Sequence, residues 1–144
     1  MTELDVRDVE VAHAEFYAAF ESADLDRMGA VWADGTYADE VVCVHPGWPL
    51  IRGRGAVLRS WALIMANTPY IQFVLTDTQI RISGDQAVVS CAENIITAAE
   101  ETEIGLTSGG SVVTTNVFVR TETGWRLWLH HGSPVLGREE EVAE

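Results

Sequence analysis

The feature that most constrains this chain is a change of apolar period near its midpoint. Up to residue 67 most apolar residues recur at steps of three and four, which marks one face of a helix. From Ile71 onward they fall in long runs rich in β-branched residues, separated by turn residues. Helical spacing covers Asp5 to Ala23, where Val9, Ala12, Phe16, Ala19, Phe20 and Ala23 share a face. A second helix is predicted over Asp24 to Trp32, with Asp24 as its N-cap. A third, Gly55 to Asn67, carries Val57, Leu58, Trp61, Ile64 and Met65 and is ended by Pro69. Between the last two, Tyr37 to His45 reads as a strand stopped by Pro46-Gly47, and Gly47 to Gly55 as irregular. In the second half Ile71–Ser83, Gln86–Ala98, Ser111–Arg120 and Trp125–His131 read as strands. Gly84-Asp85 and Thr121 to Gly124 are hairpin turns between them, and Glu100 to Gly110 is a polar connecting loop. Helices gathered ahead of a hairpin-connected sheet give an α+β class.

At 144 residues the chain suits one domain, taken as residues 1–137, with 138–144 as an acidic tail. Nine basic residues, all arginine, face 22 acidic ones, for a net charge of −13. Such a chain repels phosphate backbones and anionic lipid, so neither nucleic acid nor a membrane surface is an expected partner. No apolar run is long enough to span a bilayer, and no secretory signal opens the chain. Cys43 and Cys91 lie inside apolar strand-like runs with no CxxC pairing. The expectation is two reduced, buried thiols in a cytoplasmic protein.

Three stretches carry a family resemblance. "SADLDRMGAVWADG", "VVCVHPGWPLIRGRGAVLRSW" and "TNVFVRTETGWRLWLHHGSPV" resemble, in order, parts of the NTF2-like superfamily, and more closely its SnoaL-like and ketosteroid-isomerase-like members. The similarity runs from about Val9 to Val135. It implies a cone, with three N-terminal helices packed in a strongly curved mixed or antiparallel sheet. A largely apolar small-molecule pocket lies inside such a cone. It also implies a homodimer formed through the outer sheet face, to which Arg126 and Trp128 are expected to contribute. The fold hosts isomerases, dehydratases, cyclases, hydrolases and plain binding modules, so it does not name a reaction.

The resemblance also suggests residues. His45 stands where ketosteroid isomerases carry their general-base aspartate, and an imidazole is able to move a proton near neutral pH. Asn116 matches the place of their protonated aspartate and offers an amide donor for an oxyanion. Phe16 stands at the oxyanion-tyrosine position and has no donor; Tyr17 is turned roughly 100° away around the helix. Strand alternation puts Val89, Cys91, Glu93 and Ile95 on one face. The resemblance turns that face inward, where Glu93 becomes a desolvated acid or base; in the opposite register it is an exposed residue. His131 shares a face with Leu127 and Leu129, which the resemblance turns inward, and His130 is expected outside. Phe16, Trp48, Trp61 and Leu129 are the expected ligand-binding walls. His45, His131 and Glu93 follow no metal-ligand spacing, so neither a metal nor a cofactor is expected. The resulting expectation is a SnoaL-like protein that binds a small apolar, oxygen-bearing molecule. Either it performs cofactor-independent acid/base chemistry of isomerase, dehydratase or cyclase type, or it is a non-catalytic binding or dimerisation module.

Overall fold

In the computed structural model, residues 2–98 and 106–136 are described. Helix α1 (Glu3–Glu21) starts where the Thr2 hydroxyl accepts the Asp5 N–H, and α2 (Leu25–Val31) where the Asp24 carboxylate accepts the Arg27 N–H. A 3-10 turn (Gly35–Tyr37) follows, then strands β1 (Val42–Val44) and β2 (Ile51–Arg52), helix α3 (Arg54–Ala66), and four long strands. These are β3 (Ile71–Ser83), β4 (Gln86–Ala98), β5 (Leu106–Thr121) and β6 (Gly124–Pro134). They form one curved six-stranded mixed sheet in the order β2-β1-β6-β5-β4-β3. Every pairing is antiparallel except β1 with β6, where Cys43 lies beside His130.

The three helices pack inside the curve. Their apolar faces meet the sheet's inner face in a core that includes Phe16, Trp32, Trp61, Phe118 and Leu127. Burying side chains of this size stabilises the fold by roughly 1.5–3 kcal/mol each. Arg54, at the start of α3, donates to the Gly29 and Trp32 carbonyls at 2.7 and 2.8 Å and so ties α3 to the end of α2.

Four sequence expectations change. The strand placed over Tyr37 to His45 shortens to Val42–Val44, because Gly35–Tyr37 coils instead. The stretch after it is not wholly irregular, since Ile51–Arg52 pairs with β1. Residues 106–110 of the expected Glu100–Gly110 loop belong to β5; residues 99–105 lie outside the described chain, as does the tail from residue 137. The fourth change matters most. Val117 pairs with Leu129 but its neighbour Phe118 pairs with Leu127, so Trp128 is an extra residue in β6. A bulge of this kind breaks the two-residue alternation. Downstream of it the faces exchange: His130 is buried and His131 exposed. Arg126 also leaves the expected dimer surface, because its guanidinium donates to the Ala30 carbonyl at the end of α2.

Candidate active site

A cavity of about 340 Å³ opens between α1, α3 and the inner face of β3 to β6. Phe16, Phe20, Trp48, Trp61 and Phe73 supply its aromatic walls, and Tyr17, His45, Glu93 and His130 its polar groups. The volume lies within the range of small-molecule sites.

His45 follows β1 and begins the His45-Pro46-Gly47-Trp48 turn, closed by the Trp48 N–H on the His45 carbonyl at 2.9 Å. Pro46 suits the first corner and Gly47, at φ +83°, the second, as a type II turn requires. The turn folds the Trp48 ring edge-on to the His45 ring, which meets Trp61 on α3 in the same way. His45 Nε2 lies 2.9 Å from Ser60 Oγ. Ser60 spends its proton on the Val57 carbonyl at 2.6 Å, so the serine oxygen accepts and His45 is the Nε2–H tautomer. Burial lowers the His45 pKa to about 4, so the ring is neutral near pH 7.

Glu93 lies on the inner face of β4, nearly inaccessible to solvent. The Tyr17 hydroxyl donates to its Oε2 at 2.6 Å. Burial pushes the Glu93 carboxyl above the usual carboxylate range, and the Tyr17 hydrogen bond opposes that rise. Burial first, and the Glu93 charge second, also raise the Tyr17 pKa, so the phenol keeps its proton.

Behind this pair sits Asn116 on β5, fully buried and bonded on three sides. Its Nδ2 lies 3.1 Å from His13 Nε2 and donates to Tyr17 Oη at 3.3 Å, and its Oδ1 lies 2.6 Å from His130 Nδ1. Both amide hydrogens are therefore engaged within the protein, and Asn116 stands behind the wall rather than facing the cavity. Burial lowers the His13 pKa to about 4. His130 falls to about 3, through burial first and then the neighbouring His45, His13 and His131.

Of the residues singled out in the sequence, the structure thus brings His45, Glu93, Phe16, Trp48 and Trp61 to one cavity. It leaves out His131, which is exposed on the far face, and Leu129, which is half-buried beside Val42 and lines no part of the cavity. The bulge at Trp128 is the cause in both cases. With His131 outside, the set His45, His131 and Glu93 is not assembled. Three site residues went unread. His130 was turned outward by assuming unbroken alternation. Tyr17 was discounted for its angle, yet the cavity is wide enough for adjacent α1 residues to reach opposite walls, Phe16 toward Trp61 and Tyr17 toward Phe73. His13, one turn before Tyr17 on the same helix face, was the signal available for the third.

Residues 9–137 match the SnoaL-like domain family. The chain belongs to that family, within the NTF2-like fold. A crystal structure of an NTF2-like protein from Streptomyces avermitilis, described as a candidate dehydratase, is 47% identical. That match covers 94% of this chain and 100% of that one, with a TM-score of 0.85. A candidate calcium/calmodulin-dependent protein kinase type II association domain from Thiobacillus denitrificans is 33% identical, with 88% and 94% covered and a TM-score of 0.76. The F-box protein SKIP8 of Arabidopsis thaliana is 25% identical over 130 residues, which are 90% of this chain. The chain spans about half the length, 51%, of that curated relative. No described helix is long and apolar enough to cross a membrane.

Proposed function

We propose that this SnoaL-like domain binds a small, uncharged, largely apolar molecule bearing oxygen, and that it catalyses loss of water from that molecule by acid/base chemistry without a cofactor. The observation that carries this reading is the Glu93–Tyr17 pair, a carboxyl of raised pKa held at 2.6 Å on the wall of an aromatic cavity. A carboxyl whose pKa is raised by burial holds its proton to higher pH than an exposed one and is able to give it to a departing hydroxyl. His45, neutral and edge-on to Trp48, is a second proton-transfer group on the same cavity. No cationic side chain is among the cavity's lining residues, and its histidines are neutral, which disfavours an anionic ligand. The 47%-identical relative described as a candidate dehydratase supports the choice of reaction.

The test is a panel of small neutral β-hydroxy carbonyl compounds, read first by thermal shift and then by product analysis. A compound that stabilises the fold and loses water is the expected result. Glu93→Gln and His45→Ala are each expected to cut its turnover on the order of a hundredfold while the thermal shift persists. Full turnover in both variants removes the acid/base assignment. The 33%-identical association domain favours a second reading, a non-catalytic assembly module. Ligand binding without turnover across the panel decides for that reading.

A further inference from the structure

The four polar groups around Asn116 form one directed chain. His130 Nδ1 lies 2.6 Å from Asn116 Oδ1, an atom that only accepts, Asn116 Nδ2–H donates to Tyr17 Oη at 3.3 Å, and the Tyr17 O–H donates to Glu93 Oε2 at 2.6 Å. Every donor points from His130 toward Glu93. Both ends lie on the cavity wall, while the amide between them is fully buried. We propose that Asn116 is a positioning residue: through this chain it holds His130 as the Nδ1–H tautomer, with Nε2 free to act as base, and pairs that base with Glu93 as the acid. The inference deepens the dehydration reading and rests on it for the reaction, but the tautomer is independent of any substrate.

The proposed chain commits to one orientation of the amide. Turned over, it would set Nδ2 against His130 Nδ1 and oblige that histidine to carry its proton on Nε2. Oδ1 would then face Tyr17 Oη, the phenol would donate to it, and Glu93 would have to donate to the phenol. The two arrangements thus place opposite tautomers at His130. The first leaves a base at the cavity; the second leaves a donor.

In the first arrangement the chemistry balances. His130 Nε2 takes the proton from carbon, a C=C bond forms, the C–O bond breaks, and the Glu93 O–H protonates the departing hydroxyl, so that water leaves. His130 is then an imidazolium and Glu93 a carboxylate. The aligned donors offset part of the cost that burial places on positive charge at the His130 end and negative charge at the Glu93 end. No proton passes through the amide; both ends reset by exchange with water. The groups facing His130 are His45 just after β1, Cys43 on β1, His13 on α1 through Asn116, and its neighbour His131. Those facing Glu93 are Tyr17 on α1 and Thr114 on β5, with Cys91 on β4 beside Tyr17. None of these neighbours of His130 is a carboxylate, and the hydrogen-bonded chain through Asn116 and Tyr17 links it to Glu93.

Imidazole ¹⁵N NMR of the whole chain at neutral pH tests the proposal. The expected result is His130 protonated on Nδ1 alone, with that proton shifted far downfield by its short bond. Asn116→Ala is expected to mix the tautomers. In case that variant does not fold, Tyr17→Phe leaves the amide in place but cuts the chain to Glu93. It is expected to keep the Nδ1–H tautomer and move its proton upfield, by more than Glu93→Gln, whose amide oxygen still accepts from Tyr17. A wild-type Nε2–H tautomer overturns the proposal, as does an Nδ1 proton indifferent to both Tyr17→Phe and Glu93→Gln. Absence of turnover with an intact tautomer and coupling overturns only the dehydration reading. With a substrate in hand, Asn116→Ala lowers kcat on the order of a hundredfold at nearly unchanged KM.

Discussion

At the scale of single residues, three neutral histidines and one raised carboxyl set how stability responds to pH. His13 and His45 titrate at about 4 and His130 at about 3 in the folded chain, all below the ordinary imidazole value. Between that value and those pKa values the unfolded chain binds protons that the native one refuses, so each histidine's contribution is full above about pH 6.5 and is lost as pH falls. Glu93 acts in the opposite sense, because its raised pKa favours the native state as the medium turns acidic. Between pH 7 and 5 each buried histidine withdraws roughly 2 kcal/mol, and Glu93 returns part of the total. The urea midpoint is therefore expected to fall steeply over that window, and more steeply in Glu93→Gln. A midpoint that is flat from pH 7 to 5 would contradict the burial of charge-averse imidazoles. This same cluster bounds what the sequence disclosed about the site. His45 was legible through its turn signal together with the family resemblance, and Glu93 through alternation together with the resemblance, which chose the inward register. Asn116 was singled out only by the resemblance, as an oxyanion donor; its actual partners come from α1 and β6, more than a dozen residues away in sequence, and no local pattern reports them.

At the scale of elements, legibility follows how local the determining physics is. The bounds of β3 and β4 coincide with those read from the chain, since alternation and the Gly84-Asp85 turn are contained within the hairpin. Helix α2 is likewise marked by its own cap, the Asp24 side chain at 3.0 Å from the Arg27 N–H. The two-residue β2 exists only because β1 offers it an edge, and the extra residue in β6 exists only because β5 on one side and β1 on the other must both be matched. Such features are decided by tertiary pairing and leave no periodic trace. The joint between α2 and α3 is of the same kind. Arg54 donates to carbonyls at the end of a seven-residue helix that is too short to hold itself. Arg54→Met keeps much of the side-chain volume and removes those bonds. It is expected to cost roughly 2 kcal/mol by urea unfolding. Because α3 carries Trp61 and Ser60 to the cavity, ligand affinity should fall with it. A variant as stable as wild type would show that α2 is held by its apolar face alone.

At the scale of the whole molecule, the distribution of charge is uneven in a way that bears on assembly. The chain carries −13, yet the described outer-face residues of the central strands include no carboxylate. Val88, Ser90, Ala92 and Asn94 on β4, Val113 and Thr115 on β5, and Ser133 on β6 include no acid and no arginine. Val88, Val113 and, on β3, Val74 are each exposed by two-fifths or more. An acidic chain gains solubility from every carboxylate it displays, so a continuous face without them is the part of its surface best suited to meet another copy. The bulge contributes here too, since it delivers His131 rather than His130 to that face. The expected assembly is a homodimer through this sheet surface, with the two cavities opening on the opposite side. Its remaining charge is repulsive, so added salt should tighten the dimer by screening. Val113→Glu would bury an unpaired carboxylate from each copy in the paired face and should dissociate it. Sedimentation velocity at micromolar concentration checks both effects. A monomer at low and high salt alike would show that this face does not pair. A dimer indifferent to Val113→Glu would move the interface to another part of the surface and leave the cavity chemistry untouched.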